Sequence, residues 1–424
     1  MNTPLSLLLS ALRATSSDVL KAVRARYDLK INEYDKNAIQ TPRIRIRPLN
    51  NSPQEYMQLS AWRLAHAVIK ADCLRTPLAG PHLLATVGFV LEQTYLFDWT
   101  QEELRLAKGM SGYYADVSRS SLAGRIGQGM AILFLEKRGY SYVGHFATMW
   151  GQHKKELPRQ RTTGNRRMPD FIVERADAAR ERALAEAKCS FLRPRNPSKI
   201  KTTLRDGLKQ LEGWDRRITP QPTKSFVVGT FLRETADPSE ETPLIAFVDP
   251  EPGPPEGPID FPEDAIRRAN YAAWLSLMGF GDSASSLRTG VRRKGQSYQL
   301  YAITLWGRQY ALGIPSRRDF LEHDKRFAFL RRGMMFDLGT TGEPIHIGII
   351  GLEAAVLKAI GAVLNSESPD ARLMPEPRMV EDGSPVTFEG GSFYGSIFSD
   401  GSLFGEIVWW PSKGWPFESI EIAL

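Results

Sequence analysis

The clearest alternation of apolar and polar positions in this chain lies between residues 168 and 188, MPDFIVERADAARERALAEAK. Residues 171–173 form a short apolar, β-prone run, and residues 182–188 alternate between two faces after a polar connection. Side chains two apart in a strand point to the same side, so Glu186 and Lys188 share one face while alanines occupy the other. The pattern predicts two adjacent strands of one hairpin.

The segments around this hairpin carry helix and strand periodicity in a regular order. Residues 120–138 begin with serines, have apolar positions at helical spacing and end before Gly139, which predicts a helix. Residues 140–147 are aromatic and β-branched enough for a first strand. Residues 202–218 have helical spacing, and residues 224–232 form the continuous apolar run typical of a buried strand. The predicted order is helix, three strands, helix, strand.

The same patterns divide the chain into three regions and a linker. Residues 1–112 are predicted to be mostly helical, and residues 113–235 form the α/β core. Residues 236–262 are rich in proline and acidic side chains, which indicates a linker. Residues 263–424 are predicted to be an α+β domain for recognition or regulation.

The flanking regions carry further local patterns. In the N-terminal region, helices are predicted around residues 54–73 and 100–108, and an edge strand over 41–49. In the C-terminal region, residues 352–364 predict an amphipathic helix, and Asp400-Gly401 is a favourable two-residue turn between alternating aromatic residues. Such aromatic side chains are more typical of a core or an interface than of a base-stacking surface.

The predicted hairpin brings two carboxylates and a lysine together. Asp170 stands at the start of its first strand, and Glu186 and Lys188 share one face of the second. Mg²⁺ is usually held by one or two carboxylates together with waters and substrate phosphates. A nearby ammonium stabilises negative charge that develops on a phosphodiester. The three residues predict a divalent-cation site for nucleic-acid cleavage; the alternative is a surface ion pair between Glu186 and Lys188.

These residues in this order of elements resemble the PD-(D/E)XK nuclease superfamily, the restriction-endonuclease-like fold with an α-β-β-β-α-β core, over about residues 115–235. The resemblance implies that Asp170 and Glu186 bind Mg²⁺ or Mn²⁺. It also implies that the Ala187 backbone carbonyl is a further ligand, and that Lys188 lies by the attacking water or the scissile phosphate.

Two glutamines occupy positions that members of this superfamily use near the site. Many members carry a glutamate on the first helix as an extra metal ligand, where this chain has Gln128. A neutral amide is a weaker Mg²⁺ ligand than a carboxylate, so either the site relies on fewer ligands or the helix only positions substrate. Gln210, on the second helix, corresponds to a Gln or Lys that points at the site in some members.

Basic side chains are concentrated on both sides of the hairpin. Arg and Lys in loops suit contacts with the phosphate backbone more than base reading, so we expect them to attract nucleic acid. The alternative is a solvated loop. The candidate nucleic-acid-binding residues are Lys154, Lys155, Arg159, Arg161, Arg166, Arg167, Arg193, Arg195, Lys199 and Lys201.

Composition and absent motifs narrow the function classes. The chain has 424 residues, a net charge of +7 and a pI near 9.3, which suits contact with nucleic acid. Two cysteines indicate a reducing compartment and a cytoplasmic protein, and no apolar stretch is long enough to span a membrane. There is no Walker-type loop, HExxH or nucleophile elbow, and His145 is interpreted as structural.

The sequence therefore predicts a Mg²⁺-dependent endonuclease that hydrolyses DNA, with RNA not excluded and no membrane partner. Analogy with the superfamily places it in restriction or anti-phage defence. Three alternatives stay open: a catalytically inactive nuclease-fold module that binds nucleic acid, a secreted nuclease toxin, and a protein-interaction module. The sequence is compatible with a homodimer or a partner protein.

Overall fold

A curled, mixed seven-strand sheet is built mainly from the first 250 residues. The structure is a computed structural model. It describes residues 26–49, 53–75, 89, 92–93, 95–153, 167–177, 180–235, 237–239, 241–256, 259–291, 295–315, 335–336, 345–368, 371–375, 385–413 and 417–424. The strands of this sheet are β1 (Tyr27–Glu33), β2 (Glu55–Leu59), β3 (Tyr140–His145), β4 (Phe171–Arg175), β5 (Arg182–Leu192), β6 (Lys224–Arg233) and β7 (Leu244–Val248).

The strands lie side by side in the order β2-β1-β7-β6-β5-β4-β3. β3, β4 and β5 form an antiparallel meander, and β6 runs parallel to β5. β7 is antiparallel to β6 and parallel to β1, and β2 closes the sheet as an antiparallel neighbour of β1. A separate short ribbon pairs Ile218–Thr219 with Ile259–Asp260.

Helices cover both faces of this sheet. The described helices are α1 (Lys36–Gln40), α2 (Ala61–Arg75), α3 (Met110–Tyr113), α4 (Asp116–Lys137), α5 (Phe146–His153), α6 (Ile200–Leu211), α7 (Ala265–Leu277), α8 (Gly281–Thr289) and α9 (Ala354–Asn365), with 3₁₀ turns at Asp215–Arg217 and Pro411–Lys413. α4 packs on β5 and β3 and against α2, whereas α6 packs on β5 and β6.

The order of elements in the predicted core agrees with the structure. α4, β3, β4, β5, α6 and β6 follow one another, with the short helix α5 inserted after β3. Ile126, Met130 and Leu133 of α4 are buried, as their helical spacing requires. α6 is the crossover that a parallel pair such as β5 and β6 needs, because a tight turn cannot return the chain to the same end.

The N-terminal region differs from the mostly helical prediction. β1 and β2 belong to the sheet, and the predicted helix over 54–73 is strand β2 followed by α2. Residues 100–108 contain no helix, and residues 41–47 contain no strand. The short alternating run of β2 adjoins a longer helical pattern, and β1 pairs with a strand some 200 residues later, so neither was evident locally.

The segment 236–262 is more than a linker. It contains β7, which lies between β6 and β1 in the sheet. The apolar run Leu244–Val248 is only five residues long and is flanked by prolines and acids, so composition concealed it. Burial of Ile245, Ala246 and Val248 shows that this run is a part of the core.

The C-terminal region contains a separate antiparallel sheet. Its strands are β8 (Ser297–Leu305), β9 (Arg308–Pro315), β10 (Met335–Phe336), β11 (Ile345–Glu353), β12 (Val386–Phe388), β13 (Gly391–Ile397), β14 (Ser402–Trp409) and β15 (Glu418–Ala423). The seven-strand path is β12-β13-β14-β11-β9-β8-β15, and the short strand β10 pairs with β11.

The amphipathic helix predicted for this region is confirmed: α9 covers it, beginning two residues later than expected. The turn between β13 and β14 lies where it was predicted, but it spans residues 398–401 and is not the two-residue turn expected at Asp400-Gly401. The φ of Gly401 is +84°, which favours glycine. The aromatic side chains Phe393, Phe398 and Phe404 are buried, which agrees with the core role expected of them, whereas Trp410 is 42% exposed.

α2 and α7 connect the two sheets. α2 contacts β13 and β14 on one side and α4 and β3 on the other, and α7 packs on β3 and β4. The indole Nε1 of Trp274 donates to the Gly351 carbonyl of β11 at 2.7 Å. One continuous apolar cluster includes residues from β1 through to Leu424. Within the described ranges, no helix is both long and apolar enough to cross a membrane.

Candidate metal and nucleic-acid site

The β4–β5 hairpin places Asp170 beside the middle of β5. The antiparallel pairing begins at Phe171 opposite Ala185, and Asp170 lies one residue beyond it. Its Oδ2 accepts a hydrogen bond of 3.0 Å from the backbone amide of Ala187. The Asp170 carboxylate therefore accepts a hydrogen bond from a backbone N–H of β5 that lies beyond the paired residues of β4. This bond holds Asp170 beside Ala187, the residue between Glu186 and Lys188.

Glu186 and Lys188 point to the face of the sheet on which α6 packs. Their register partners on β6 are Val227 and Gly229. A methyl group on Gly207 of α6 would lie 2.3 Å from Val227 Cγ1, so α6 covers this face closely. Side chains at the same register point to the same face. Lys188 Nζ lies 2.5 Å from Glu186 Oε1, which confirms that the two side chains converge.

The carboxyl group of Glu186 is in an unusual environment. Its side chain is only 3% exposed, and its Oε2 is buried with no hydrogen-bond partner among the described residues. Burial raises the pKa of Glu186 from 4.5 to about 7; the nearby charge of Asp170 also raises it, and Lys188 opposes the rise. An unpaired carboxylate oxygen beside a second carboxylate is a poor arrangement for stability and a suitable one for a cation.

We expect Glu186→Gln to stabilise the metal-free protein at alkaline pH. The folded-state pKa is raised, so wild-type stability declines as pH rises from 4.5 through about 7, whereas the glutamine variant does not titrate. The gain at pH 8 has an upper bound of about 3 kcal/mol, at roughly 1.4 kcal/mol per pH unit. Urea unfolding in EDTA from pH 4 to pH 8 measures it. A gain that is equal at both ends of this range would contradict the assignment.

Gln128 lies at the site, as the resemblance implied. α4 approaches β5 closely at Gly127, where a methyl group would lie 2.7 Å from the Cβ of Cys189. The next residue, Gln128, donates from Nε2 to Asp170 Oδ1 at 3.0 Å. Glycine is required at position 127 because any side chain there would push α4 away from β5. The amide of Gln128 orients the carboxylate of Asp170; whether it also contacts a metal stays a prediction.

Two further residues lie near Asp170: Arg75, which was not predicted for the site, and His145, which was interpreted as structural. Arg75, the last residue of α2, places Nη2 3.6 Å from Asp170 Oδ1, and about half of its side chain is exposed. Burial and the charge of Arg75 lower the pKa of His145 to about 4, against the opposing charge of Asp170. His145 Nδ1 lies 2.7 Å from the Thr148 hydroxyl. Arg75 is distant from Asp170 in sequence and belongs to no recognisable motif, so only the packing of α2 shows that the two side chains are close.

The other candidate residues are less closely tied to the carboxylates. Gln210 is buried on α6, and within the described residues it makes no hydrogen bond to Asp170 or Glu186. Its predicted role is not supported by a contact. Lys154, Lys155, Arg159, Arg161 and Arg166 lie outside the described residues, and Arg167 is exposed.

The basic loop after β5 is partly engaged within the protein. Arg193, Arg195 and Lys199 are exposed, and Arg193 lies 4.0 Å from Asp116. Lys201, in the first turn of α6, donates from Nζ to the carbonyls of Thr41 and Ile44 at 2.6 Å each, so it holds the segment that follows α1. The loop leaves the carboxyl end of β5, four residues after Lys188.

Asp170 and Glu186 are the residues that could hold a divalent cation. Among the described residues, no group of three or more His, Cys, Asp or Glu is arranged as a complete metal-binding set. Mg²⁺ needs only one or two carboxylates when waters and substrate phosphates complete its shell. The unpaired Glu186 Oε2 is an available oxygen, so the residues present fit an ion whose remaining ligands are waters or substrate phosphates.

No family model, curated protein or solved structure matches this chain.

Proposed function

We propose that this protein is a metal-dependent nuclease of the restriction-endonuclease-like fold that hydrolyses phosphodiester bonds in DNA. One observation supports the proposal above the others: Asp170, Glu186 and Lys188 converge around the Ala187 backbone in the middle of a helix-and-sheet core with the expected order. A buried carboxylate with an unpaired oxygen, next to a second carboxylate and an ammonium, suits a cation and a phosphate group.

Asp170 and Glu186 would hold Mg²⁺ or Mn²⁺, with the Ala187 carbonyl as the further ligand that the resemblance implies. When bound, the ion polarises a phosphoryl oxygen and makes a coordinated water more acidic. Gln128 and the Ala187 amide keep Asp170 in a single orientation, through hydrogen bonds of 3.0 Å to its two oxygens. This preorganisation limits the rearrangement that metal binding requires.

Lys188 would act on the substrate rather than on the ion. In the metal-free protein its ammonium lies against Glu186. With a cation held by Asp170 and Glu186, the Lys188 ammonium would be available to the scissile phosphate, where it would stabilise the negative charge that accumulates during attack. About a quarter of the Lys188 side chain is exposed, so solvent and substrate can reach it.

A second candidate function is supported by the same carboxylate. Gln128 and Arg75 both contact Asp170 Oδ1, and a guanidinium there competes with a cation for that oxygen. An inactive nuclease-fold module that binds nucleic acid without cutting it would be consistent with this arrangement. The restriction or anti-phage setting rests on analogy alone.

Cleavage assays with the full chain distinguish the two functions. We expect supercoiled plasmid to be nicked or linearised with Mg²⁺ or Mn²⁺ and to stay intact in EDTA, because the two carboxylates alone supply no Lewis acid. Structured RNA in parallel reactions tests the substrate class. Salt-sensitive DNA binding in anisotropy, without cutting under any metal, would contradict the nuclease and support the binding module.

A further inference from the structure

A basic pocket lies beside the candidate site, at the end of α6. The chain turns there at Gly213, whose φ is +77°, and enters the 3₁₀ turn Asp215–Arg217. Four cationic side chains line the pocket against two carboxylates, so its charge is net positive. The cations are Arg167, Lys209, Arg216 and Arg217, and the carboxylates are Glu212 and Glu256.

The pocket is held at a short distance from Asp170. The indole Nε1 of Trp214 donates to the Arg167 carbonyl at 3.0 Å, which ties the turn after α6 to the segment that leads into β4. Arg167 precedes Asp170 by three residues, so their Cα atoms are at most roughly 10 Å apart, and their side chains extend beyond this span. A separation of this order corresponds to a few nucleotides along a strand.

The pocket also lies on the face of the sheet to which Glu186 and Lys188 point. α6 packs on the face to which Glu186 and Lys188 point, and its last residues lead into the pocket. Trp214 is buried against Phe146 and Trp150 of α5, with ring centroids 5.3 and 5.0 Å apart. The amide of Phe146 in turn donates to the Asp170 carbonyl at 3.0 Å. The packed cluster of Trp214, Phe146 and Trp150 therefore positions both the pocket and Asp170.

Within the described part of the chain, two of the four cations form no ion pair. Arg216 pairs with Glu256 at 2.9 Å, and Lys209 lies 3.3 Å from Asp206. Among the described residues, neither Arg167 nor Arg217 has a carboxylate within ion-pair distance. Arg217 lies over the Trp214 ring at 5.4 Å from its centroid, which restricts its guanidinium. A planar, restricted guanidinium matches the geometry of a phosphate group.

We propose that this pocket binds an internal phosphate of the nucleic-acid strand, a few nucleotides from the scissile bond, through Arg167 and Arg217. This inference rests on the proposed function, which makes the site beside the pocket the place where the strand is cut. The contact sets which phosphate reaches Asp170 and Glu186, and it carries no base specificity.

DNA binding as a function of salt tests this contact. Fluorescence anisotropy in EDTA, where no metal supports cutting, compares the full-length wild type with Arg167→Ala, Arg167→Ala/Arg217→Ala and the charge-matched control Lys358→Ala/Lys413→Ala. Both control lysines are exposed in the C-terminal region. We expect the double pocket variant to reduce the slope of log affinity against log salt by about 1, and the control to leave it unchanged. Arg167→Ala alone covers the case in which loss of Arg217 impairs folding.

A slope equal to that of the control would overturn the inference. So would a thermal shift of the wild type by inorganic phosphate without any change of slope in the pocket variants, because the ligand would then be a free phosphate. Failure of the nuclease proposal has a different result. A wild type that never cuts DNA, with a reduced slope in the pocket variants, removes the nuclease and keeps the pocket.

Discussion

Replacing Asp170 by asparagine is expected to lower metal-dependent DNA cleavage about a thousandfold. The side-chain oxygen of the asparagine can still accept the hydrogen bond from the backbone N–H of Ala187, so the hairpin geometry should be retained. It carries no charge, however, and one of the two carboxylates for the ion is lost. Metal-ion stabilisation is worth several kcal/mol in such reactions, and each 1.4 kcal/mol is about tenfold in rate. Initial rates of plasmid nicking at saturating Mg²⁺ measure the loss.

Two comparisons make this result specific. Asp177→Asn removes an acid of the same hairpin whose side chain is 45% exposed and pairs with Arg175; we expect it to cut at the wild-type rate. Mg²⁺ should raise the melting temperature of the wild type and not of Asp170→Asn, since a ligand stabilises only the state that binds it. Cleavage by Asp170→Asn within about tenfold of wild type would refute the assignment.

Replacing Lys70 by methionine is expected to lower the free energy of unfolding by about 3–5 kcal/mol. Lys70 Nζ lies 2.6 Å from Asp400 Oδ2, and both side chains are almost fully buried. Burial raises the pKa of Asp400, but Lys70 and hydrogen bonds from Ser402 and Asn270 outweigh it and bring the pKa to about 2. Methionine fits the volume and leaves the Asp400 charge buried without a counterion. Urea unfolding at neutral pH measures the cost.

Two further variants separate this charge from loss of packing. Lys70→Met/Asp400→Asn removes the buried charge, so it should be less destabilised than Lys70→Met alone. Lys209→Met breaks an exposed pair with Asp206, which should cost less than about 1 kcal/mol. A Lys70→Met effect as small as that of Lys209→Met would show that the pair contributes little.

This buried pair bears on the candidate site through α2. Lys70 and Arg75 lie on the same helix, five residues apart, so the β13–β14 turn that carries Asp400 braces the helix whose end approaches Asp170. His66, one turn before Lys70, stacks on Phe398 at 3.9 Å between ring centroids. The C-terminal sheet thus supports a helix of the site.

Local sequence periodicity determined the hairpin and the elements around it. Glu186 and Lys188 share a face because alternation is a property of the strand itself, and α4 and α6 follow from apolar spacing within each segment. The same spacing placed the end of α6 too late, because the helix ends at Leu211 and not at residue 218. The convergence of Asp170 with Glu186 needs only a short connection between two strands. These features depend on residues that are near in sequence, so the chain alone predicts them.

Only the tertiary structure decided what surrounds this hairpin. β1, β2 and β7 complete the sheet through pairings between distant segments, and no residue pattern specifies which strands become neighbours. The approach of Arg75 to Asp170, the buried Lys70–Asp400 pair and the pocket beside Trp214 likewise depend on how helices pack. The physical reason is the same in each case: periodicity reports which face of an element is buried, and long-range packing determines what it is buried against.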